Sequence, residues 1–368
     1  MHSEVNKKKI TFVLGGLNYG GAERVASLMI RYWYENQYPI AIVSRRGPEN
    51  DFFEIPEDIE RYNLGGEGTS ANKIMALFKN TLHIIKLRKA IKQSKADVVI
   101  SFLTKTNVHT ILASFGLGVR IVISERNDTT RQHYPWPWPY LRKKLYKFAA
   151  EVTANSQVAI DGMKPYVSKK KLHLVRNPLQ FPDTFAQPDR STILLNVGRL
   201  VPQKAQYLLL ESFSKIEKNN KKDWKCVILG DGEERENLCK QANMFNINEK
   251  VELPGLVENP SHYYKSAAVF VLTSEYEGTP NALLEAMAHG LPVVASDSLP
   301  GALEYVKDGK NGFIFEALNS EDLSEKILYL INRPKLRKKM GDKSIDLVKD
   351  LSIEIVMQNW HQLIDKAK

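Results

Sequence analysis

Two cations and two carboxylates stand at spacings that suit the chemistry of phosphate esters and hydroxyls. Arg199 ends an apolar run, and Lys204 lies five residues further on. Cations placed there suit a diphosphate leaving group, whose negative charge grows as its bond breaks. Glu277 and Glu285 flank a Gly-Thr-Pro turn that predicts a helix from about Asn281, and such carboxylates can accept hydrogen bonds from ribose and sugar hydroxyls. Solvated cations and ordinary helix-start glutamates are the simpler alternatives.

A glycine-rich loop follows the first apolar run of the chain. Gly20 and Gly21 precede Ala22-Glu23-Arg24, which opens a helical pattern. Glycines let the backbone approach a ligand closely, and the free N–H groups of a helix start attract phosphate. The spacing does not fit the G-x-G-x-x-G dinucleotide pattern. A phosphate contact and a tight structural turn therefore remain equally good interpretations.

Alternating strands and helices must position these residues. Short apolar runs rich in β-branched residues alternate with longer helical patterns along the whole chain. Near-continuous apolarity is typical of strands that are covered on both faces, and the alternation predicts parallel βαβ units. We expect strands at Ile10–Leu14, Ile40–Ser44, Asp97–Phe102, Arg120–Ser124, Glu151–Ala154, Leu172–Val175, Ile193–Val197, Lys225–Leu229, Val251–Leu253, Ala268–Leu272, Val293–Ala295 and Phe313–Phe315.

The length of the chain and a proline-rich interruption of the strand–helix pattern predict two domains. A chain of 368 residues exceeds one ordinary core, and each half carries about six strand–helix units. Three prolines interrupt the pattern over residues 176–190, which indicates the seam. We expect an α/β fold of two doubly wound, Rossmann-like parallel-sheet domains, 1–180 and 181–343. An amphipathic C-terminal helix, 344–368, is expected to pack back onto the first domain.

The chain is basic, with a net charge of +10. This balance favours a phosphate-bearing partner, such as a nucleic acid, an anionic membrane or a diphosphate substrate, although a solubilising surface is the alternative. No run approaches the roughly 18 apolar residues that span a bilayer, and the N-terminus does not fit a signal peptide. The two cysteines, Cys226 and Cys239, lack metal-ligand spacing. We therefore expect a cytoplasmic protein.

Two segments gather basic residues. Lys79, His83 and Lys86 recur at spacings of four and three, which aligns them on one face of a helix predicted over 71–94. Residues 134–147 interleave tryptophan and tyrosine with four cations, a composition that favours an anionic membrane surface. A solvated helix face and aromatic residues that pack within the domain are the alternatives.

The motifs together resemble the family 4 glycosyltransferases of GT-B fold. They follow the family's order over nearly the whole chain, and the E-x7-E segment is the most specific of them. Among members, the chain looks like the PglH-type N-acetylgalactosaminyltransferases, and this resemblance argues against nucleic-acid binding. The shared motifs are GGAER at 20–24, GRL with Lys204, GDGEER at 230–235, GLVEN at 255–259, and SEYEGTPNALLEAMAHGLPVVAS.

The resemblance implies a retaining enzyme that transfers a hexose or N-acetylhexosamine, with N-acetylgalactosamine favoured. The donor would be a UDP-sugar and the acceptor an undecaprenyl-diphosphate-linked saccharide, at the cytoplasmic face of the inner membrane. No metal or cofactor is implied. Arg199 and Lys204 would bind the donor diphosphate, and Glu277 would contact the donor sugar. The other implied residues are Gly20, Gly21, Glu23, Leu256, Val257, Gly278, Thr279, Pro280, Asn281 and Glu285 for the donor, and Lys79, His83 and Lys86 for the acceptor.

One position departs from the family pattern. Ser124-Glu125-Arg126 stands where relatives often carry Ser-Glu-His, and an arginine cannot act as a base at neutral pH. We expect Arg126 to hold a phosphate or an acceptor hydroxyl instead. Two alternative functions remain: a transferase acting on a soluble or diacylglycerol-type acceptor, and a non-catalytic nucleotide-sugar-binding relative. The intact set of cations and carboxylates argues against the second.

Overall fold

The computed structural model describes residues 7–66, 73–127, 134–185, 192–219 and 223–366, and it divides the chain into two units. Unit 1 comprises Met1–Pro178 and Ile353–Lys368, and unit 2 comprises Leu179–Ser352. Each unit holds one sheet whose strand pairings are all parallel in the described ranges. The predicted α/β class with two doubly wound sheets is confirmed.

The sheet of unit 1 has seven strands in the order β3-β2-β1-β4-β5-β6-β7. They are β1 (Ile10–Leu14), β2 (Ile40–Ser44), β3 (Glu60–Asn63), β4 (Val98–Phe102), β5 (Arg120–Glu125), β6 (Glu151–Ala154) and β7 (Leu172–Leu174). The helices of this unit are α1 (Gly21–Glu35), α2 (Lys73–Gln93), α3 (Thr104–Ser114), α4 (Trp138–Leu145), α5 (Gln157–Met163) and the last helix of the chain, α13 (Ile353–Asp365).

The sheet of unit 2 has six strands in the order β10-β9-β8-β11-β12-β13. They are β8 (Ile193–Val197), β9 (Lys225–Leu229), β10 (Val251–Gly255), β11 (Val269–Leu272), β12 (Val293–Ser296) and β13 (Gly312–Phe315). The helices are α6 (Gln206–Asn219), α7 (Arg235–Met244), α8 (Ser261–Ser266), α9 (Asn281–Ala288), α10 (Pro300–Leu303), α11 (Ser320–Ile331) and α12 (Pro334–Val348).

Successive residues of a central strand pack on opposite faces of the sheet. Phe12 belongs to one apolar cluster with Trp33 of α1 and Trp360 of α13. Its neighbour Val13 belongs to a second cluster with Leu87 of α2. Because both faces are covered, four of the five residues of β1 are apolar and the fifth, Thr11, is buried as well, which is why such runs are recognisable from the sequence.

The strand β3 was missed from the sequence. Its residues, Glu-Arg-Tyr-Asn, are polar and half-buried or exposed, and it pairs with β2 at the edge of the sheet. An edge strand with one hydrogen-bonded neighbour needs little apolar surface, so no apolar run marks it.

The return of the chain to unit 1 begins later than expected. Residues 344–352 belong to unit 2, where Val348 and Leu351 are buried in one of its apolar clusters. The helix α13 starts at Ile353, after a short 3-10 turn, and its Trp360 packs edge-on against Trp33 at 6.4 Å. Within the described ranges, no helix is long and apolar enough to cross a membrane.

A buried ion cluster anchors the end of α13. Arg120 Nη2 and His173 Nε2 each lie 2.6 Å from a carboxylate oxygen of Glu151, and Lys366 Nζ lies 3.3 Å from it. Arg120 Nε also donates to the carbonyl of Leu363 in α13, at 3.1 Å. The Arg120 and Glu151 side chains are only 8% and 7% exposed, so this ion pair lies in the interior of unit 1.

We expect Glu151→Gln to lower the free energy of unfolding by about 3 kcal/mol, because it removes the buried negative charge that lies 2.6 Å from the Arg120 guanidinium. The control is Lys225→Gln, which opens the surface pair between Lys225 and Glu252 and should change stability far less. Urea titration followed by tryptophan fluorescence measures both. Equal losses in the two variants would contradict an anchoring role for the cluster.

Candidate functional site

The strand order of unit 2 reverses between β8 and β11, which are neighbours in the sheet. The helices that follow these strands pack into different clusters: α6 contributes Leu209 to one, and α9 contributes Leu284 to the other. The loops that follow β8 and β11 therefore diverge from the carboxyl ends of these strands and lead to different apolar clusters. Open α/β sheets bind their ligands in the crevice that such a divergence leaves.

Hydrogen bonds fasten the two loops at this crevice to one another. Thr273 Oγ1 donates to the carbonyl of Lys204 at 2.8 Å. Gln203 accepts at its carbonyl from the amide of Glu275 at 2.9 Å, and its side chain donates to the carbonyl of Tyr276 at 2.6 Å. These hydrogen bonds within the protein fix the two loops relative to one another.

An ion pair joins the same two loops. Lys204 Nζ donates to Oε1 of Glu277, which also accepts from Ser274 Oγ at 2.8 Å. The Lys204 and Glu277 side chains are only 16% and 13% exposed. Arg199 is exposed beside them at the end of β8, where its carbonyl accepts from Gln206 Nε2 at 3.0 Å. The arrangement offers two cations to an anion, and a carboxylate to a hydroxyl.

Glu285, the second glutamate of the motif, is contacted at its carboxylate and at its backbone carbonyl by residues that no sequence pattern marked. Tyr264 Oη, on α8, donates to Glu285 Oε2 at 3.2 Å. His289 Nδ1 lies 2.7 Å from the carbonyl oxygen of Glu285, and its Nε2 lies 2.9 Å from Ser261 Oγ. Nothing in the spacing of α8 singles out Tyr264, because the contact exists only once α8 packs on α9.

The other predicted donor-binding residues of unit 2 lie in the loops that precede α8 and α9. Leu256 is 39% exposed and Val257 is half-buried, in the loop that leads from β10 to α8. Thr279 and Pro280 are buried, and α9 begins at Asn281 as expected.

The turn at Gly278 is packed tightly against α10. A Cβ built on Gly301 would overlap the carbonyl oxygen of Gly278 and lie 3.6 Å from Cα of Thr279. Only a glycine at 301 lets α10 approach this turn, so α10 helps to set the position of the loop that carries Glu277.

In unit 1, the predicted phosphate loop forms a helix start. Gly20 is the N-cap of α1 and Gly21 is its first residue. The Glu23 side chain turns back to Gly20, where a Cβ on the glycine would overlap the carboxylate. A carboxylate at a helix N-terminus is favoured by the helix dipole. A phosphate contact at this helix start stays a prediction.

Arg126 lies in the interior of unit 1 and is 5% exposed. Its guanidinium carbon lies 4.8 Å from the ring centroid of Phe102 and 5.7 Å from that of Trp360. Nη1 donates to Asn177 Oδ1 at 2.6 Å, whereas Nε and Nη2 are buried without a hydrogen-bond partner in the described residues. Burial lowers the pKa of Arg126 to about 9. A catalytic role for this residue stays a prediction.

The predicted acceptor residues all lie on α2. Lys79 and Lys86 are exposed, and Lys86 Nζ donates to the carbonyl of Leu64 at 3.2 Å. His83 is half-buried, and desolvation, with the charges of Arg45 and Lys86, lowers its pKa to about 4.

The segment 134–147 divides between surface and core. Trp136 and Tyr140 are 83% and 55% exposed, whereas Arg142 and Tyr146 are buried. Trp138 is half-buried and packs edge-on against His109, at 5.2 Å between ring centroids. The aromatic residues thus serve the packing of α4 as well as the surface.

Two doubly wound parallel sheets, with a cation–carboxylate site at the switch point of the second, define a glycosyltransferase of GT-B fold. Residues 180–346 match the family model described as glycosyl transferases group 1, and residues 19–180 match glycosyltransferase family 4. The chain belongs to the family 4 glycosyltransferases of GT-B fold. Within the described residues, no group of three or more His, Cys, Asp or Glu is arranged to hold a metal ion.

Two Campylobacter jejuni proteins are similar along their whole length. One is named a GalNAc-α-(1→4)-GalNAc-α-(1→3)-diNAcBac-PP-undecaprenol α-1,4-N-acetyl-D-galactosaminyltransferase; it is 30% identical, over 98% of this chain and 99% of the relative. The other, an N-acetylgalactosamine-N,N'-diacetylbacillosaminyl-diphospho-undecaprenol 4-α-N-acetylgalactosaminyltransferase, is 26% identical over 92% of this chain and 94% of its own.

Solved structures share the fold. Sucrose-phosphate synthase from Thermosynechococcus elongatus superposes with a TM-score of 0.82 at 15% identity, covering 97% of this chain and 98% of that one. Anabaena HepE in complex with UDP and glucose superposes with a TM-score of 0.80 at 18% identity, covering 98% of this chain and 100% of that one.

We expect Gly301→Ala to weaken UDP binding at least several-fold, because the added methyl must displace the Gly278–Thr279 turn. The control is Gly309→Ala in the same unit, where a methyl meets open space but the backbone is left-handed, with φ of +70°. That variant should lose about 1–2 kcal/mol of stability and keep its UDP affinity. Calorimetry with UDP measures both, and a Gly301→Ala protein that binds like the parent would contradict the assignment.

Proposed function

We propose that the protein is a retaining glycosyltransferase that moves a hexose or N-acetylhexosamine, with N-acetylgalactosamine favoured, from a UDP-sugar to an undecaprenyl-diphosphate-linked saccharide. The observation that carries the proposal is the part-buried Lys204–Glu277 pair at the switch point of unit 2, beside Arg199. The names of the two Campylobacter relatives support the acceptor class and the sugar. The reaction is proposed to need no metal and no cofactor.

In the proposed reaction, Arg199 and Lys204 bind the donor diphosphate. The bond between the anomeric carbon and the β-phosphate oxygen breaks, and an acceptor hydroxyl oxygen bonds to that carbon on the face from which UDP leaves. The hydroxyl proton passes to the departing phosphate oxygen. The two cations stabilise the negative charge that grows on the departing UDP. As Lys204 turns to the phosphate, Glu277 is freed to accept a hydrogen bond from a sugar hydroxyl. Glu285, oriented by Tyr264, accepts from the ribose.

The same proposal includes a location on the cytoplasmic face of the inner membrane, and exposed apolar side chains of unit 1 support contact with a membrane surface. Four residues of α2 recur at spacings of three, four and three, which puts them on one helical face. Trp136 and Tyr140 add amphipathic rings near α4. The exposed side chains of α2, with their exposed fractions, are Met75 (47%), Phe78 (66%), Leu82 (43%) and Ile85 (59%).

The test is a panel of UDP- and GDP-sugars, with free nucleotide as the readout, run against a lipid-diphosphate-linked saccharide, a diacylglycerol acceptor and a soluble sugar. We expect release of UDP with the lipid-diphosphate acceptor. Lys204→Ala should lower turnover about 10²–10³-fold. The control Lys215→Ala, which removes a surface cation of α6 paired with Glu321, should leave turnover unchanged.

Each other outcome of the panel selects a different function. Transfer to the diacylglycerol or the soluble sugar alone would replace the proposed acceptor. UDP-sugar binding without transfer to any acceptor would indicate a non-catalytic relative. Full turnover by Lys204→Ala would remove this residue from the mechanism.

The membrane surface makes a separate prediction. We expect Phe78→Ser combined with Ile85→Ser to weaken binding to vesicles of anionic phospholipid at least ten-fold, since each exposed side chain contributes about 1.5–3 kcal/mol when fully buried in an apolar phase. Met244→Ser removes an apolar side chain of unit 2 that is 69% exposed and serves as the control. Co-sedimentation measures the affinities. Binding equal to that of the parent would exclude α2 as the membrane contact.

A further inference from the structure

Arg126 and Glu125 are adjacent in the chain, but their side chains lie on opposite faces of the unit 1 sheet. The carboxylate of Glu125 accepts hydrogen bonds from Thr104 Oγ1, at 2.7 Å, and from the hydroxyl of Tyr146, which belongs to one apolar cluster. The Arg126 guanidinium carbon lies 4.8 Å from the ring centroid of Phe102, which belongs to another cluster. Successive side chains of an extended segment point in opposite directions, so the nearest carboxylate in the sequence does not neutralise this cation.

The guanidinium of Arg126 is a buried cation with few acceptors around it. Nη1 donates to Asn177 Oδ1 at 2.6 Å, whereas Nε and Nη2 have no hydrogen-bond partner in the ranges that the structure describes. Burial lowers the pKa of Arg126 to about 9, and no described carboxylate opposes that shift, so the group is still charged at neutral pH. A buried polar group without a partner costs free energy, and a buried charge costs more.

A further buried donor lies beside the guanidinium. Trp360, on α13, is 0% exposed, and its Nε1 has no hydrogen-bond partner among the described residues. The centroid of its ring lies 5.7 Å from the guanidinium carbon of Arg126. Three nitrogen donors without a described acceptor, two of Arg126 and one of Trp360, therefore lie in one small region of the interior.

Another buried arginine shows how the chain compensates such a charge elsewhere. Arg337 is 3% exposed, and its guanidinium carbon lies 5.5 Å from the ring centroid of Trp224. Its Nη1 donates to the carbonyls of Leu330 and Ile331, at 2.9 and 2.8 Å, in the last turn of α11. Helix carbonyls at that end carry negative partial charge, whereas a strand has only a small net dipole. Arg126, at the end of β5, has similar burial and an aromatic neighbour without this compensation.

We propose that Arg126 and Trp360 bind a small monovalent anion of halide size within unit 1. A guanidinium and an indole N–H are donors without acceptor capacity, so their ligand must supply the acceptor and, for Arg126, the counter-charge. Water supplies an acceptor but no charge. The burial of both side chains limits the ligand to a small ion. The bound anion joins the carboxyl end of β5 to α13, and this role does not depend on the proposed function.

The test compares the thermal unfolding of the protein in sodium chloride and in sodium gluconate. Equal ionic strength, about 150 mM, keeps the screening of surface charges the same in both salts. A ligand that binds only the folded state raises the Tm with its concentration. We expect a Tm about 2–4 °C higher in chloride, with a plateau as chloride replaces gluconate.

Three variants assign the chloride effect to these side chains. Arg126→Met removes the charge at similar volume and should abolish the effect, while its Tm in gluconate should be at least that of the parent. Trp360→Phe keeps an aromatic ring but removes the N–H, and should raise the chloride concentration at half effect at least about three-fold. The control Arg337→Met should keep the difference between the two salts, because helix carbonyls rather than an anion compensate this arginine.

Crystals soaked in sodium bromide locate the ion by its anomalous signal. We expect bromide at hydrogen-bonding distance from the Arg126 guanidinium, and none there in Arg126→Met. Bromide at surface cations alone would indicate an adventitious ion only and would overturn the proposal. Equal Tm values of the parent in chloride and gluconate would overturn it too, as would a chloride effect that Arg126→Met retains.

A last arm separates the halide from a phosphate, which is one of the two ligands expected of Arg126 from the sequence. Inorganic phosphate is added to the chloride titration at constant ionic strength. We expect the chloride concentration at half effect to stay unchanged, because a phosphate is too large for this buried place. Competition by phosphate would overturn the halide assignment and would return Arg126 to phosphate binding.

Discussion

The arrangement of unit 2 depends on the ion pair between Lys204 and Glu277, which holds together the loops after two neighbouring strands. A pair that is about 85% buried costs desolvation energy, and its attraction offsets that cost only when further hydrogen bonds are present. Here Ser274 supplies one to the carboxylate, and three hydrogen bonds to backbone carbonyls join the loops. The cation is thereby held in place; under the proposed function, this position is near the one from which it binds the donor diphosphate. An anion needs to displace one carboxylate rather than order two loops.

The same topology serves both units, yet it presents different chemistry in each. In unit 2 the loops at the switch point carry Lys204 and Glu277, which form an ion pair, whereas Arg199 is exposed. In unit 1 the corresponding edge carries cations that no described carboxylate pairs with, next to two histidines whose pKa values are lowered by burial and by those cations. At the two switch points, a cation that is paired with a carboxylate can be largely buried, whereas a cation without such a partner remains exposed to solvent. This explains why Arg45, Lys86 and Lys105 are exposed while Lys204 is not.

Burial also separates residues that look alike in the sequence. Arg126 follows β5 just as Arg199 follows β8, but it turns inward over Phe102 and Trp360. The reason lies in α13, which arrives from the far end of the chain and covers that edge of unit 1. Trp360 stands more than 200 residues from Arg126, so local pattern cannot reveal the contact. Likewise, the composition of the aromatic segment 134–147 predicts a single exposed surface, although Tyr146 is buried and donates a hydrogen bond to Glu125.

The sequence by itself determined the fold class, the position of nearly every strand, and the loops on which the cations and carboxylates lie. These follow from local signals, since a strand covered on both faces is largely apolar, and glycine and proline mark the turns. Tertiary structure alone decided which side chains meet: Lys204 with Glu277, Tyr264 with Glu285, and His83 with His109. It also decided that β3 joins the sheet and that the chain returns at Ile353 rather than at 344. Each of these depends on surfaces brought together from distant segments, and hydrophobic periodicity carries no information about such partners.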